Sequence, residues 1–130
     1  MKVRKLLLML FAATVLLTGC KKDNDNASNS NKLQGVWSDG PYQFPNGVLS
    51  RSRVYDFINS NTVICYVGTT NEYDSDYISF PNHSGWYYYY SYTITYVFND
   101  NKVIFSNGTI LTYMNGQLYL EGASNVLTRW

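Results

Sequence analysis

The chain has 130 residues, ten Lys/Arg against nine Asp/Glu, and 45% hydrophobic residues, thirteen tyrosines among them. A formal charge of +1 over that length excludes the basic stripe that nucleic-acid binding requires. Two cysteines do not make a disulfide scaffold, so a single domain with its own apolar core is expected.

Residues 1–19 begin with Lys2, Arg4 and Lys5, continue as the apolar run Leu6–Leu17 and end in small residues, the anatomy of a secretory signal. Such a run rises only about 18 Å as a helix, short of a hydrocarbon core of roughly 30 Å, so it is not a membrane span. Its end, Leu17-Thr18-Gly19-Cys20, resembles the lipobox of bacterial lipoproteins. The resemblance implies cleavage before Cys20, which would then carry a diacylglycerol thioether and an N-acyl chain. The alternative is an ordinary secretory signal with a chance cysteine. Several acyl chains at about 0.8 kcal/mol per buried CH₂ make a lasting anchor. Losing residues 1–19 removes three of the ten basic residues and no acid, which moves the formal balance to −2. Cys65 is then left without an intrachain partner, and in Val63-Ile64-Cys65-Tyr66-Val67 it reads as a small buried hydrophobe.

Residues 20–32 comprise Cys20 and the polar run Lys21–Lys32, in which Ala27 is the only apolar side chain. This composition predicts a flexible tether with a root-mean-square reach of about 20 Å. The lysine-then-aspartate run after Cys20 is similar to the surface-export signal of Bacteroidota lipoproteins, and a plain solvated linker has the same composition. Lys21 is not the aspartate that marks inner-membrane retention in enterobacterial lipoproteins. The expectation is an outer-membrane lipoprotein, surface-exposed if the export signal is real.

From Leu33 onward hydrophobicity alternates with a period of two, interrupted by turn residues, which is an all-β pattern. Strands are expected near Leu33–Ser38, Arg51–Ile58, Thr62–Thr69, Trp86–Phe98, Lys102–Ser106, Thr109–Tyr113, Gln117–Glu121 and Val126–Trp130, with a further one around Tyr73–Phe80. Asn107-Gly108 and Asn115-Gly116 favour the positive φ of tight hairpins, and Asn99-Asp100-Asn101 and Asn59-Ser60-Asn61 read as looser turns. Consecutive hairpins make an antiparallel meander, and eight or nine strands avoid exposed edges by closing into a barrel. Residues 33–130 form that domain.

Trp86–Phe98 is the longest expected strand. Its even positions, including Trp86, Tyr88, Tyr90, Tyr92, Ile94 and Tyr96, form one apolar face that lines the core or a cavity. Tyr87 and Tyr89 make the start of the strand aromatic on both sides. Such rings suit stacking on sugars or flat ligands, and they equally suit cross-strand packing.

Leu33-Gln34-Gly35-Val36-Trp37 holds G-x-W on the first strand, and the last strand ends in Leu127-Thr128-Arg129-Trp130. With the meander, and with Tyr55-x-Phe57 on the second strand, this resembles the lipocalins, above all the short lipocalin-like domains of Bacteroidota lipoproteins. The resemblance implies that Trp37 packs at the closed end of an eight-stranded barrel beneath Arg129, a cation over an aromatic face that joins first strand to last. The lipocalin T-D-Y signature is absent from the later half, since Ser75-Asp76-Tyr77 comes too early, and no C-terminal helix follows Trp130. The resemblance therefore implies a reduced relative, and a cavity does not come with the fold.

Arg51, Arg53, Tyr55 and Phe57 alternate along the second strand, so an inward Phe57 would bring both arginines to the barrel mouth as a carboxylate- or phosphate-reading pair. The competing reading is a pair of solvated arginines, because uncompensated inward charge is costly. Candidate ligand-binding residues are Arg51, Arg53, Tyr55, Tyr88, Tyr90 and Tyr92. Glu72, Asp74 and Asp76 alternate as calcium ligands can, without the glycine and distal glutamate of an EF-hand, so no metal is expected. His83 is the sole histidine, and there is no G-x-S-x-G elbow, second zinc ligand or phosphate loop. No catalytic residue and no cofactor is expected. Asp39–Ser50, with Gly40-Pro41 and Asn46-Gly47, is either a lid over the mouth or a plain turn-rich loop.

These features point to a monomeric lipoprotein held to the membrane by its lipid, not an enzyme, binding a small ligand in or at the mouth of a barrel. The alternative is a side-chain-filled barrel that contacts glycan or protein partners through aromatic surface.

Overall fold

The computed structural model describes residues 31–130, so the signal segment, Cys20 and most of the tether lie outside the described residues. Residues 31–130 are all-β. The strands are β1 Gly35–Ser38, β2 Tyr42–Gln43, β3 Leu49–Arg51, β4 Val54–Phe57, β5 Thr62–Val67, β6 Thr69–Thr70, β7 Ile78–Ser79, β8 Tyr87–Tyr88, β9 Tyr90–Asn99, β10 Lys102–Phe105, β11 Ile110–Met114, β12 Gln117–Leu120 and β13 Val126–Arg129. Eight of them, β1, β4, β5 and β9 to β13, pair antiparallel in chain order, and β13 returns to β1 to close the barrel. The expected meander and its closure are present.

The hairpins follow their turn chemistry. Asn115 and Gly116 take φ of 53° and 75°, the mirror-image turn whose twist matches the flanking strands. Asp100 and Asn101 also sit at positive φ, so the Asn99–Asn101 turn is as tight as Asn115-Gly116 and not looser. Between β4 and β5, Asn59 Oδ1 accepts from Asn61 N at 3.0 Å, a side-chain-closed turn.

Alternation fills the interior. Leu33, Trp37, Tyr55, Phe57, Val63, Cys65, Tyr96, Val103, Phe105, Leu111, Leu118, Leu120 and Leu127 form one buried cluster. Edge-on aromatic pairs lock it: Tyr55 on Phe105 at 5.1 Å and Phe57 on Tyr96 at 5.0 Å. The barrel is a packed core of its own side chains, as small barrels of this strand number allow.

A second sheet, ordered β2-β3-β6-β8-β7, grows out of the barrel wall. Strands β3, β6 and β8 continue β4, β5 and β9 past a break at one level, marked by Ser52-Arg53, Gly68 and Tyr89. Gly68 holds φ +73°, and a Cβ there would meet Tyr89 Cβ at 3.0 Å, so only glycine lets the two strands approach. Tyr89 N donates to Val67 O at 2.9 Å across the break. An extra residue in each strand reverses which side chains face which side.

That reversal corrects the single long strand expected over Trp86–Phe98. Ile94, Tyr96 and Phe98 do belong to the barrel core. Before the break, Trp86 and Tyr88 pack outside it, in a second cluster around Val54, Tyr66 and Phe80 that also takes in Val36, Ile64 and Trp130. The loop Phe80–Trp86 and the C-terminal Trp130 thus roof the outer face of β1, β4 and β5.

Candidate functional site

At the closed end, Arg129 is the register partner of Trp37, and its guanidinium carbon lies 4.6 Å from the centroid of that ring. Its Nη1 donates to Gln34 O at 2.6 Å and its Nη2 to Lys32 O. Trp37 is 1% exposed, and its Nε1 donates to Leu33 O at 2.7 Å. One planar cation therefore covers the ring and ties the incoming chain to the last strand, the arrangement implied for these two residues.

The two candidate arginines do not form a pair. Strand alternation was expected to run unbroken from Arg51 to Phe57, but the Ser52-Arg53 break turns Arg51 to the outer aromatic layer. Its guanidinium lies 4.2 Å from the Trp130 ring centroid and 5.0 Å from that of Trp86, and Nη1 donates to Ser38 Oγ at 2.5 Å. Burial lowers the Arg51 pKa from its ordinary value, and neighbouring Asp39 acts in the opposite direction. Arg51 is thus engaged by the fold, between two tryptophan rings and Ser38.

Arg53 stays at the mouth, with Nη1 3.5 Å from the Tyr55 hydroxyl. It borders an open cleft of about 530 Å³ whose other walls include Thr109, Ile110, Leu120 and Glu121. Tyr55 is buried in the core and its phenol is pushed up, mainly by burial. Tyr90 and Tyr92 pair in register with Val67 and Cys65 on the inward face of β9 and, at 49% and 41% exposed, line the open mouth of the barrel. Burial pushes the Cys65 thiol up to about 11, with a hydrogen bond to Tyr92 opposing, so Cys65 is an inert core group.

The second sheet carries most of the exposed aromatic surface. On its strands, their loops and the break at Tyr89, Phe44 is 53% exposed, Tyr73 71% and Tyr89 56%, and Tyr42 and Ile78 join them. Between the β2–β3 hairpin and the 71–77 loop lies a cleft of about 440 Å³ with β3 and β6 as its base. Phe44, Val48 and Tyr77 supply apolar walls, and Asn46, Ser50 and Glu72 supply polar ones. The loops are braced by Asn71 Oδ1, which accepts from Leu49 N at 2.8 Å, and by Thr70 Oγ1, which donates to Leu49 O at 3.0 Å. Asp39–Ser50 thus forms an edge hairpin of the second sheet and one wall of this cleft.

Asp39 escaped the sequence reading. It is 1% exposed and accepts from Ser52 N and Arg53 N, each at 3.0 Å, from Asn125 Nδ2 at 2.8 Å, and from Ser52 Oγ. One carboxylate pins the end of β1, the strand break and the β12–β13 loop together. The only hint in the sequence is an aspartate directly before Gly40-Pro41, a common turn pattern with no sign of long-range partners. Glu72, Asp74 and Asp76 are exposed, and no group of three or more potential metal-ligating side chains gathers among the described residues.

No family model, no curated protein and no solved structure matches this chain.

Proposed function

We propose that this chain is a lipid-anchored outer-membrane lipoprotein whose barrel is a scaffold and whose exposed second sheet binds a partner at the envelope surface, without catalysis. One observation carries the reading. The barrel interior is filled by its own side chains, whereas Tyr42 on β2, Phe44 and Tyr73 in the flanking loops and Tyr89 at the strand break stand exposed outside it. Large exposed aromatic patches mark interaction surfaces, because keeping them in water has a free-energy cost that a partner removes. The signal segment and Leu17-Thr18-Gly19-Cys20 support the address. Two measurements test it. Labelled palmitate should enter the full chain and not its Cys20→Ala variant. Full-chain protein in detergent should bind envelope fragments, and a Tyr42→Ser/Tyr89→Ser variant should bind them at least tenfold more weakly; equal binding refutes the surface reading.

A second reading rests on Arg53. Its guanidinium borders the roughly 530 Å³ mouth cleft with Tyr55 as its one hydrogen-bond partner among the described residues, which suits a small carboxylate or phosphate ligand seated above the filled core. Native mass spectrometry of protein isolated from its own envelope would reveal such a ligand as added mass, lost in Arg53→Ala.

A further inference from the structure

The cleft between the β2–β3 hairpin and the 71–77 loop has the chemistry of a particular ligand class. We infer that it is a binding site for a neutral oligosaccharide, an assignment that rests on the second sheet being the contact surface. Two features converge on this class. Phe44 and Tyr77 line the cleft with aromatic side chains, of the type that packs against the C–H face of a sugar ring, and Tyr77 is held by edge-on packing against Tyr89 at 5.9 Å. The polar walls are short neutral groups: Ser50, whose hydroxyl has no hydrogen bond among the described residues, and Asn46, whose Oδ1 accepts from Val48 N and whose NH₂ has no acceptor among the described residues. Ser50 and Thr70, register partners across β3 and β6, lie at the base of the cleft, and the Ser50 hydroxyl can both donate to and accept from a sugar hydroxyl.

Charge separates this class from its rivals. The Arg51 guanidinium is already spent on two tryptophan rings and Ser38, and the one exposed charge on the cleft is the Glu72 carboxylate, which repels anionic ligands and accepts from hydroxyls. An acidic glycan or a phosphate belongs elsewhere. A cleft of about 440 Å³ lies within the roughly 300–1,000 Å³ of small-molecule sites and holds a short oligosaccharide.

The test uses the full chain in detergent with maltotriose, cellotriose, mannotriose and xylotriose as probes, read by saturation-transfer NMR, beside envelope fragments with and without periodate oxidation of their glycans. At least one trisaccharide should bind. Phe44→Ala should weaken it tenfold or more, and Ser50→Ala, which removes the hydroxyl at the base of the cleft, at least threefold. Periodate treatment should abolish binding to the fragments. If no trisaccharide binds and periodate changes nothing while Tyr42→Ser/Tyr89→Ser still fails to bind fragments, the sugar assignment is wrong and the contact surface stands. If that double variant binds fragments normally, the surface reading is wrong as well. Trisaccharide binding that survives both Phe44→Ala and Ser50→Ala places the site elsewhere and overturns the inference.

Discussion

Arg129 and Trp37 hold the closed end of the barrel together: the guanidinium covers the ring from 4.6 Å while its two terminal nitrogens cap the carbonyls of Gln34 and Lys32. The geometry depends on a flat, forked cation. Arg129→Lys keeps the charge and loses the fork, and should cost about 1–2 kcal/mol of unfolding free energy in urea titration. Trp37→Ala empties the fully buried end of the core and should cost about 3–5 kcal/mol.

Asp39→Ala should be as damaging as a core deletion. It strands the Ser52 and Arg53 amides and Asn125 Nδ2, each now within 3.0 Å of the carboxylate, at a cost of about 3 kcal/mol or more. Its distinctive sign would be loss of amide-exchange protection at two sites remote in sequence, residues 51–54 and 123–126, with the closed end unaffected.

Gly68→Ala should destabilise by about 1–3 kcal/mol, since the new methyl meets Tyr89 Cβ at 3.0 Å and the backbone sits at φ +73°. The loss should loosen the second sheet before the barrel, visible as early exchange of the Thr69, Thr70 and Tyr89 amides.

How much of this was legible beforehand differs by region. In β10 to β13 each strand alternates cleanly and each turn carries Asn, Asp or Gly, so local pattern and closed meander agree. The strand breaks were not legible. Gly68 inside Val67-Gly68-Thr69 was their one local signal; Ser52-Arg53 and Tyr89 carry none, because a bulge is set by neighbouring strands and not by its own residues. For that reason Arg51 was expected beside Arg53, and Tyr88 on the same face as Tyr96. The pairing of Trp37 with Arg129 came from family resemblance, while Asp39 needed tertiary contacts no local pattern contains.

Cys65 and His83 set opposite pH responses. The thiol, raised from 9.0 to about 11, ionises first in the unfolded chain, so its stabilising contribution is complete below pH 9 and fades as pH rises toward 11. Cys65 should resist iodoacetamide at pH 8 until the protein is unfolded. His83 stacks 4.0 Å from Trp130, and its pKa is lowered from 6.5 by burial and then by Arg51, with Asp56 opposing. Its contribution is present above pH 6.5 and lost as pH falls below, where the unfolded chain takes the proton first. Melting temperature should decline on that acid side, and less so in His83→Gln.

The central claim is that ligand meets the second sheet and not the barrel interior. Amide chemical-shift mapping of the full chain during titration with oligosaccharides released from its own envelope tests this directly. The account predicts shifts concentrated at Phe44, Ser50, Thr69, Thr70 and Tyr77. Shifts concentrated at Tyr55, Phe105, Leu118 and Leu120, inside the barrel, would contradict it.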